Sequence, residues 1–357
     1  GGRRSSMVIV RAPVRVSFGG GGTDLAAYYG RFGGLVVSAT ISRYAYVTAR
    51  RPDDAGIRIN SIDYRRWESF PRGRVPEVSE PLVLPKAAVE WFADRGLRES
   101  GVDLTLASEV PPGTGLGSSS AMAVALAQAL ACYLEAPMAP DAAADLASRI
   151  EIERLEMPIG KQDQYASACG GLNAIEFTAD GVRVEPLDLP ADVIAALGAR
   201  LMLFSTGTSR HSSRILTEQR TNTETKPAVL RSLHRLKALA AEMREALTAQ
   251  DLDLFGELLD RGWQVKKRLS SGVSTTEIDD IYAAARAAGA LGGKITGAGG
   301  GGFLLLYCPR RRQRAVRTAM ERRGLRELAF DFDFDGVRVM SAAEDAAGRI
   351  AEAVVSD

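Results

Sequence analysis

The chain has 357 residues, of which 46% are apolar and 25% charged, so it is long enough to bury the cores of two domains. Its 45 basic and 44 acidic residues give a formal net charge of +1, which excludes a bulk electrostatic attraction to nucleic acid or to an anionic membrane. No apolar run reaches the ~18 residues of a membrane helix, and three scattered cysteines predict neither disulfides nor a metal site, so we expect a cytoplasmic protein.

The first predicted strand leads into a run of glycines. Residues 1–6, GGRRSS, are interpreted as a remnant of an expression tag, and VIVRAPVRVSF after Met7 alternates as a strand does. Four glycines follow, and then Thr23 and Asp24. Such a run lets the backbone approach a ligand closely, with a hydroxyl and a carboxylate beside it. From the residues alone, a flexible loop with an aspartate helix cap is the simpler interpretation.

A second glycine loop lies before a helix. Strands are predicted at 33–50, 57–64 and 102–107, and the last leads into PPGTGLGSSSA, which begins at Pro111. Glycines that accept positive φ, followed by a helix N-terminus with free N–H groups, suit a phosphate. A tight turn capped by serine would explain the pattern equally well. The candidate nucleotide-binding residues are Pro112, Gly113, Gly115, Leu116, Gly117, Ser118, Ser119 and Ser120.

Acidic candidates lie on the helix predicted at 141–155 and in the segment after it. The helix carries Glu151 and Glu153, and Asp163 follows in IGKQDQYASACGG. Helical side chains two residues apart face different directions, so only one of these glutamates can reach a given site. From the local pattern, Asp163 is most simply a helix cap or a solvated loop residue.

The second half changes character near residues 187–197, which predicts a domain boundary. A strand at 200–204 leads into STGTSRHSSRIL, where hydroxyls and the cation Arg210 lie at the strand end, a common place for ligands. A serine-rich loop that caps the next helix explains this segment equally well. Two helices between 225 and 259 have the apolar spacing of core packing.

The last strong pattern is GGKITGAGGGGFLLLY at residues 292–307. It holds five glycines between Gly297 and Gly302 and passes directly into an apolar strand. A flexible linker would be polar and would lie outside the core, so this backbone must approach another part of the molecule. A basic helix at 310–323, a strand near 330–334 and a closing Ala-rich helix would complete a second α+β domain.

Three of these segments resemble, in order, the three motifs of the GHMP kinases, the superfamily of galactokinase, homoserine kinase, mevalonate kinase and phosphomevalonate kinase. They are RAPVRVSFGGGGTDLAAYY, PPGTGLGSSSA and GGKITGAGGGGF. The resemblance implies a two-domain α+β fold, with an N-terminal α/β nucleotide-binding domain over 7–190 and a ferredoxin-like α+β domain over 195–357. It places the active site between them and implies ATP and Mg²⁺ as cofactors.

The resemblance also implies catalytic and metal-binding residues. GKQDQYAS is similar to the segment that carries the catalytic aspartate of galactokinases, which makes Asp163 the base, and Arg15 falls where those kinases place an arginine beside it. Glu151 lies twelve residues before Asp163, as the metal-binding glutamate does there, and would share Mg²⁺ with Ser119. Glu153 is the alternative for this role.

The substrate side is implied by the first and third motifs. In sugar kinases of the family the aspartate after the threonine binds sugar hydroxyls, which assigns this role to Asp24. Lys161 and Arg210 are candidates for a substrate phosphate because of their charge. The candidate substrate-binding residues are Gly22, Thr23, Asp24, Lys161, Arg210, Gly299 and Gly300.

Within the family, these segments together with FSTGTSRHSSRIL and KKRLSSGVST most resemble the heptose 7-phosphate kinase subgroup. The implied reaction is ATP-dependent phosphorylation of the anomeric hydroxyl of D-glycero-D-manno-heptose 7-phosphate to the 1,7-bisphosphate, in nucleotide-activated heptose synthesis. The alternatives are a kinase for a fucose-like sugar or an octose phosphate, a non-catalytic regulator that binds sugar and ATP, and a decarboxylase. The retained Asp163 argues against the regulator and the Thr23–Asp24 pair against the decarboxylase. A homodimer stays open.

Overall fold

The computed structural model of the protein describes residues 7–207 and 212–342. Its strands are β1 Met7–Gly19, β2 Gly34–Arg50, β3 Ile57–Ser61, β4 Arg66–Phe70, β5 Val102–Ser108, β6 Leu172–Thr178, β7 Gly181–Pro186, β8 Leu201–Ser205, β9 Gly292–Ile295, β10 Phe303–Tyr307, β11 Arg326–Glu327 and β12 Arg338–Ala342. Its helices are α1 Ala26–Phe32, α2 Val83–Phe92, α3 Arg98–Ser100, α4 Ser118–Tyr133, α5 Pro140–Ser148, α6 Gln162–Cys169, α7 Ala191–Gly198, α8 Ser212–Thr225, α9 Pro227–Thr248, α10 Leu252–Lys266, α11 Thr276–Ala288 and α12 Gln313–Glu321. Two π-helical turns, Ala93–Leu97 and Arg149–Arg154, extend α2 and α5, and a 3₁₀ turn at Arg310–Arg312 precedes α12.

The first sheet is organised around the long strand β2. Its strands lie in the order β12-β1-β2-β5-β3-β4, and β2 also pairs with β6, which in turn pairs with β7. Residues 34–39 of β2 pair with β6 and residues 45–50 with β5, so one strand joins two arms of the sheet. The pairing is antiparallel except between β3 and β5. β-Branched residues at alternate positions of β1, such as Val10, Val14 and Val16, are fully buried.

Helix α4 packs on this sheet and forms the centre of the first core. It is rich in Ala and Leu, and nearly every residue in it is buried. A helix that is apolar on all faces has to be buried, because no face of it is suited to water. Its N-terminus therefore emerges from the core at a fixed position, directly after the loop at residues 111–117.

The second sheet has the order β11-β8-β10-β9 and is antiparallel. Along the chain, β8 is followed by helices α8 to α11, the hairpin β9–β10, helix α12 and strand β11. This is a β-α-β-β-α-β arrangement, the split pattern of ferredoxin-like domains. The predicted two-domain α+β architecture is confirmed.

One hydrophobic core spans the two parts of the molecule, and a second core around Phe204 and Trp263 lies within the C-terminal part. The Phe18 ring of β1 packs edge-on against Phe255 of α10 with ring centroids 5.2 Å apart, and Phe255 continues to Tyr307 of β10. Strand β12 returns to the first sheet and pairs with β1, with Val339 opposite Val10. The division into 7–190 and 195–357 therefore stays a proposal about sequence ranges, since the last described strand lies in the first sheet.

One predicted element is wrong. Residues 330–334 form only an isolated bridge between Phe332 and Ile41, and the strand in this region is β12. The Asp333 carboxylate accepts hydrogen bonds from the N–H groups of Asp335 and Gly336, which turns the chain away from extended pairing. The predicted closing helix lies outside the described residues.

Two further findings concern the chain as far as the structure describes it. Over residues 7–207 and 212–342, no helix has both the length and the apolar character to cross a membrane. Cys132, Cys169 and Cys308 are all free.

Candidate active site

The loop between β5 and α4 has the backbone shape that its glycines predict. Gly113, Gly115 and Gly117 have φ values of 76°, 80° and 74°, in the left-handed region that favours glycine. Gly117 is the N-cap residue of α4 and no side chain caps the helix, so the first N–H groups remain available among the described residues. Free N–H groups and the positive end of a helix dipole form an anion site.

The second glycine run packs directly on this loop. A Cβ atom on Gly115 would lie 2.5 Å from the Thr296 carbonyl oxygen, and one on Gly297 would lie 2.5 Å from the Gly115 Cα. Backbone therefore meets backbone, which explains why both segments need glycine. Gly299 and Gly300 lie further back against Val273, whose carbonyl accepts a hydrogen bond of 2.8 Å from the Gly300 N–H.

Arg15 links Asp163, the candidate base, to the glycine loop before α4, the predicted phosphate loop. Its Nε and Nη2 atoms lie 2.8 Å and 2.6 Å from Asp163 Oδ1, and its Nη1 donates to the Gly115 carbonyl at 2.8 Å. The Arg15 side chain is 4% exposed, whereas that of Asp163 at the start of α6 is 22% exposed. The arginine is thus fixed in the wall while the Asp163 side chain lines the cavity and keeps part of its surface exposed, which suits a group that must receive a proton.

Glu151, and not Glu153, faces the same cavity. Glu151 is fully buried, and its two carboxylate oxygens accept hydrogen bonds from Ser119 Oγ at 2.9 Å and Gln164 Nε2 at 2.6 Å. Burial raises the pKa of Glu151 to about 7. The Glu153 side chain is 65% exposed and pairs with Arg149 on the outer face, so the two glutamates diverge as their spacing predicts.

Ser119 and Glu151 together offer two oxygen donors of the kind that bind hard divalent cations. Among the residues that the structure describes, no cluster of three or more His, Cys, Asp or Glu side chains could hold a metal ion. Mg²⁺ commonly uses one or two carboxylates together with nucleotide phosphates, so a single glutamate beside a serine and a phosphate loop fits that ion.

Asp24 lies buried in the wall of the same cavity. Its carboxylate accepts hydrogen bonds from the N–H groups of Gly22 at 2.9 Å and Gln162 at 3.3 Å. Burial raises the pKa of Asp24, and the negative charge of Asp163 raises it further. A Cβ atom on Gly160 would lie 1.9 Å from the same carboxylate, so glycine is required there.

The other predicted substrate residues differ in position. The Thr23 hydroxyl donates to the Gly20 carbonyl at 2.7 Å and accepts from the Leu35 N–H at 3.1 Å, so it fastens the glycine turn rather than facing the cavity. The backbone N–H of Lys161 contacts the Asp24 carbonyl at 3.4 Å, and its neighbours Gly160 and Gln162 line the cavity. Arg210 lies outside the described residues.

A cavity of about 150 Å³ brings these groups together. It also contains two lysines that sequence reasoning missed, Lys266 of α10 and Lys294 of β9, with exposures of 6% and 4%. Lys266 Nζ donates to the Gly297 carbonyl. Burial and the charge of Arg15 lower the pKa of Lys266 to about 8, and burial and Lys266 lower the pKa of Lys294. The available signal was Lys294 itself, one charge inside an otherwise apolar and glycine-rich strand.

Three buried polar atoms in the cavity wall have no hydrogen-bond partner among the described residues. They are Ser17 Oγ, Gln162 Oε1 and Gln219 Nε2. Buried polar groups in native proteins are nearly always paired, so such atoms point to a polar ligand or to water. Sequence reasoning missed Ser17 and Gln219, which are common residue types without a distinguishing pattern.

A second cavity of about 300 Å³ adjoins the first at Ser118, Ser119 and Met157, which line both. Its wall is mainly apolar, with side chains from β5, α2 and α4, and it opens beside the predicted phosphate loop. The other lining residues include Tyr64, Leu82, Leu106, Val110, Met122 and Leu155. The shape and composition suit a flat apolar group attached to a phosphate chain.

Comparison with known proteins agrees with this geometry. Residues 84–171 match the model of the GHMP kinases N terminal domain, and residues 243–326 match that of the GHMP kinases C terminal domain. A D-glycero-alpha-D-manno-heptose 7-phosphate kinase of Campylobacter jejuni is 32% identical over 92% of this chain and 97% of its own length. A mevalonate kinase of Thermococcus sibiricus is 27% identical over 93% of this chain and 98% of its own length.

A solved structure agrees as well. The crystal structure of a D-glycero-D-manno-heptose 1-phosphate kinase from Bacteroides thetaiotaomicron superposes with a TM-score of 0.78 at 28% identity, covering 94% of this chain and 99% of that one. Both family models match, and the Campylobacter relative aligns along nearly its full length. The chain belongs to the GHMP kinase family.

Proposed function

We propose that this ATP-dependent sugar kinase phosphorylates the anomeric hydroxyl of D-glycero-D-manno-heptose 7-phosphate and releases the 1,7-bisphosphate and ADP. The observation that carries the proposal is the Arg15–Asp163 pair at 2.6 Å, held against the carbonyl of Gly115 in the loop that would bind the phosphates. The choice of heptose 7-phosphate is supported by the 32% identity to the Campylobacter kinase of that name.

The nucleotide would lie across the two cavities. Backbone N–H groups of residues 113–120 and the N-terminus of α4 would bind its phosphates, as their left-handed glycines and free helix end allow. The adjoining apolar cavity beside Ser118 would hold the adenine base of ATP. Kinases need this positioning more than covalent chemistry, because catalysis of phosphoryl transfer is mainly alignment and charge stabilisation.

Ser119 and Glu151 would hold Mg²⁺. When bound, the ion supplies positive charge to the β- and γ-phosphates of ATP. Gln164 fixes one carboxylate oxygen of Glu151, which leaves the other oxygen to the hydroxyl of Ser119.

Asp163 would accept the proton of the anomeric hydroxyl as that oxygen forms its bond to the γ-phosphorus and the bond from phosphorus to ADP breaks. Arg15 orients Asp163 through two N–H groups and balances its charge. Asp24, whose carboxylate is fixed by the N–H groups of Gly22 and Gln162, would orient the sugar through a hydroxyl.

The proposal is tested by ADP release with Mg²⁺ and ATP against a panel of acceptors. The panel holds heptose 7-phosphate, the unphosphorylated heptose, fucose and hexose phosphates. We expect the highest kcat/KM with heptose 7-phosphate. Preference for an unphosphorylated sugar would contradict the proposed acceptor while keeping the kinase, and tight ATP binding without turnover of any acceptor would favour a binding protein.

A further inference from the structure

Lys266 and Lys294 are buried cations whose charge the protein leaves largely unneutralised. They lie at 6% and 4% exposure in the wall of the cavity that holds Asp24 and Asp163. Lys266 donates to a backbone carbonyl, and Lys294 has no hydrogen-bond partner among the described residues. Neither lysine has a carboxylate within ion-pair distance in residues 7–207 and 212–342, although the more distant Asp24 acts on both.

A third buried lysine, Lys86, has both an ion-pair partner and a hydrogen-bond acceptor. Lys86 is 3% exposed, and its Nζ lies 3.0 Å from Glu68 Oε1 and donates to the Ser79 carbonyl at 3.1 Å. Burying a charge without such a partner is costly, because the protein interior replaces little of the lost hydration. Two buried ammonium groups without an ion-pair partner in one cavity lower the stability of the ligand-free protein, and an anionic ligand can offset this desolvation free energy.

The way in which the three acids of the cavity are held favours an anionic ligand beside the two lysines. The carboxylate of Asp163 is taken by Arg15, and that of Asp24 by the N–H groups of Gly22 and Gln162. Glu151 is enclosed by Ser119 and Gln164, so no carboxylate of the cavity lies within ion-pair distance of Lys266 or Lys294 among the described residues. Burial lowers the pKa of both lysines, as expected for cations without a close counter-charge.

We propose that Lys266 and Lys294 together bind a phosphoryl group in this cavity, a role that rests on the proposed kinase function. A tetrahedral phosphate offers several charged oxygens, so two ammonium groups can each donate to it. The group has two sources, which are the γ-phosphoryl group of ATP and the phosphate already carried by the acceptor sugar. The test separates them.

The first arm uses inorganic phosphate titrated by calorimetry into the full chain with ADP already bound, so that the glycine loop is occupied. We expect Lys294→Met to weaken this phosphate binding by about 10-fold to 100-fold, the range for losing a charged hydrogen bond. Lys267→Met is the matched control, because Lys267 follows Lys266 directly but pairs with Asp279 at 3.2 Å on the surface. We expect the control to bind phosphate as the parent does.

The second arm identifies the source. If the lysines hold the γ-phosphoryl group, Lys294→Met weakens ATP binding and leaves ADP binding unchanged. If they hold the phosphate of the acceptor, the variant raises the KM for the sugar phosphate and not that for the unphosphorylated sugar. Either pattern supports the pair as a phosphoryl site.

Equal phosphate affinity in Lys294→Met and the parent would overturn the inference. The melting temperature separates a folding defect from a lost ligand contact: removing an unpaired buried charge should leave it equal or higher in the ligand-free variant. A lower melting temperature with normal phosphate binding would make Lys294 a structural residue and would also overturn the inference. Because the first arm needs no acceptor, it gives its answer even if heptose 7-phosphate proves not to be the substrate.

Discussion

At the scale of single residues, the site depends on how carboxylates are held. Asp163 is fixed at one oxygen by Arg15 and keeps a partly exposed side chain, while Glu151 is fully enclosed between Ser119 and Gln164. The first arrangement suits proton transfer and the second suits ligation of a cation. We therefore propose different roles for the two acids because of their neighbours and not because of their type.

Asp163→Asn keeps the shape of the side chain and removes its ability to accept a proton. We expect kcat to fall by about 10²-fold to 10⁴-fold, the usual contribution of a general base, while the dissociation constant for ATP changes little. Steady-state kinetics and nucleotide titration measure the two quantities. Full turnover in this variant would remove Asp163 as the base.

Glu151→Gln is predicted to change the requirement for Mg²⁺. The amide keeps the size of the glutamate but loses the anionic oxygen beside Ser119, so half-maximal activity should need about 10-fold or more Mg²⁺. Glu153→Gln is the matched control, since its side chain is 65% exposed and two residues away. The same Mg²⁺ dependence in both variants and the parent would show that Glu151 is not a ligand.

Individual residues also mark what the sequence could and could not predict. The glycine loops stand out because their pattern is rare, whereas Asp163 is singled out only by the resemblance of its segment to that of the galactokinases. The spacing of Glu151 and Glu153 already required one of them to face away. Lys266 and Lys294 could not be found in this way, because a lysine is ordinarily a surface residue and only the folded chain shows that these two are buried. The sequence likewise could not show that Gln164 is the hydrogen-bond partner of Glu151.

At the scale of elements, the site is assembled where two glycine loops touch. The loop before α4 and the run after β9 approach so closely that Cβ atoms cannot fit between them, as Gly115 and Gly297 show. The sequence predicted that the backbone of each glycine run approaches a ligand or another segment, and the structure shows that the two runs contact each other. The prediction of a strand near 330–334 was wrong, because the Asp333 carboxylate accepts a hydrogen bond from the Gly336 N–H and the backbone turns there.

The close approach can be separated from backbone strain by two alanine variants. Gly115 and Gly324 both have φ of 80°, but a Cβ on Gly115 would lie 2.5 Å from the Thr296 carbonyl whereas one on Gly324 would have nothing within 4 Å. Gly324→Ala should cost about 1–2 kcal/mol of stability from strain alone and leave the KM for ATP unchanged. Gly115→Ala should cost more and raise that KM about 10-fold or more.

Chemical denaturation and steady-state kinetics on both variants measure these effects. Equal losses of stability with unchanged KM values would mean that the contact between the loops does not shape the nucleotide site.

At the scale of the whole molecule, the two sheets are joined by one hydrophobic cluster that spans them. Phe18 and Phe255 pack across the boundary with both side chains at 1% exposure or less, and β12 carries the chain back to β1. The sequence predicted two domains from length and a change of character, but it could not show that their cores merge, since that depends on contacts far apart in the chain.

We therefore expect the protein to unfold in a single cooperative transition, with near-UV and far-UV circular dichroism changing together. Phe255→Ala should lower the stability of the whole molecule by about 3–5 kcal/mol without splitting the transition. Two separate transitions, one for each sheet, would show that the domains fold independently.

The central claim is that the γ-phosphoryl group of ATP passes directly to the anomeric hydroxyl of heptose 7-phosphate while Asp163 accepts the proton of that hydroxyl. The most direct measurement is ³¹P NMR of the product formed from ATP and heptose 7-phosphate. The account predicts a second phosphorus resonance coupled to the anomeric proton, and its loss when the Asp163→Asn variant is used for the same time. A new phosphate on any other carbon, or the same yield from the variant, would contradict the account.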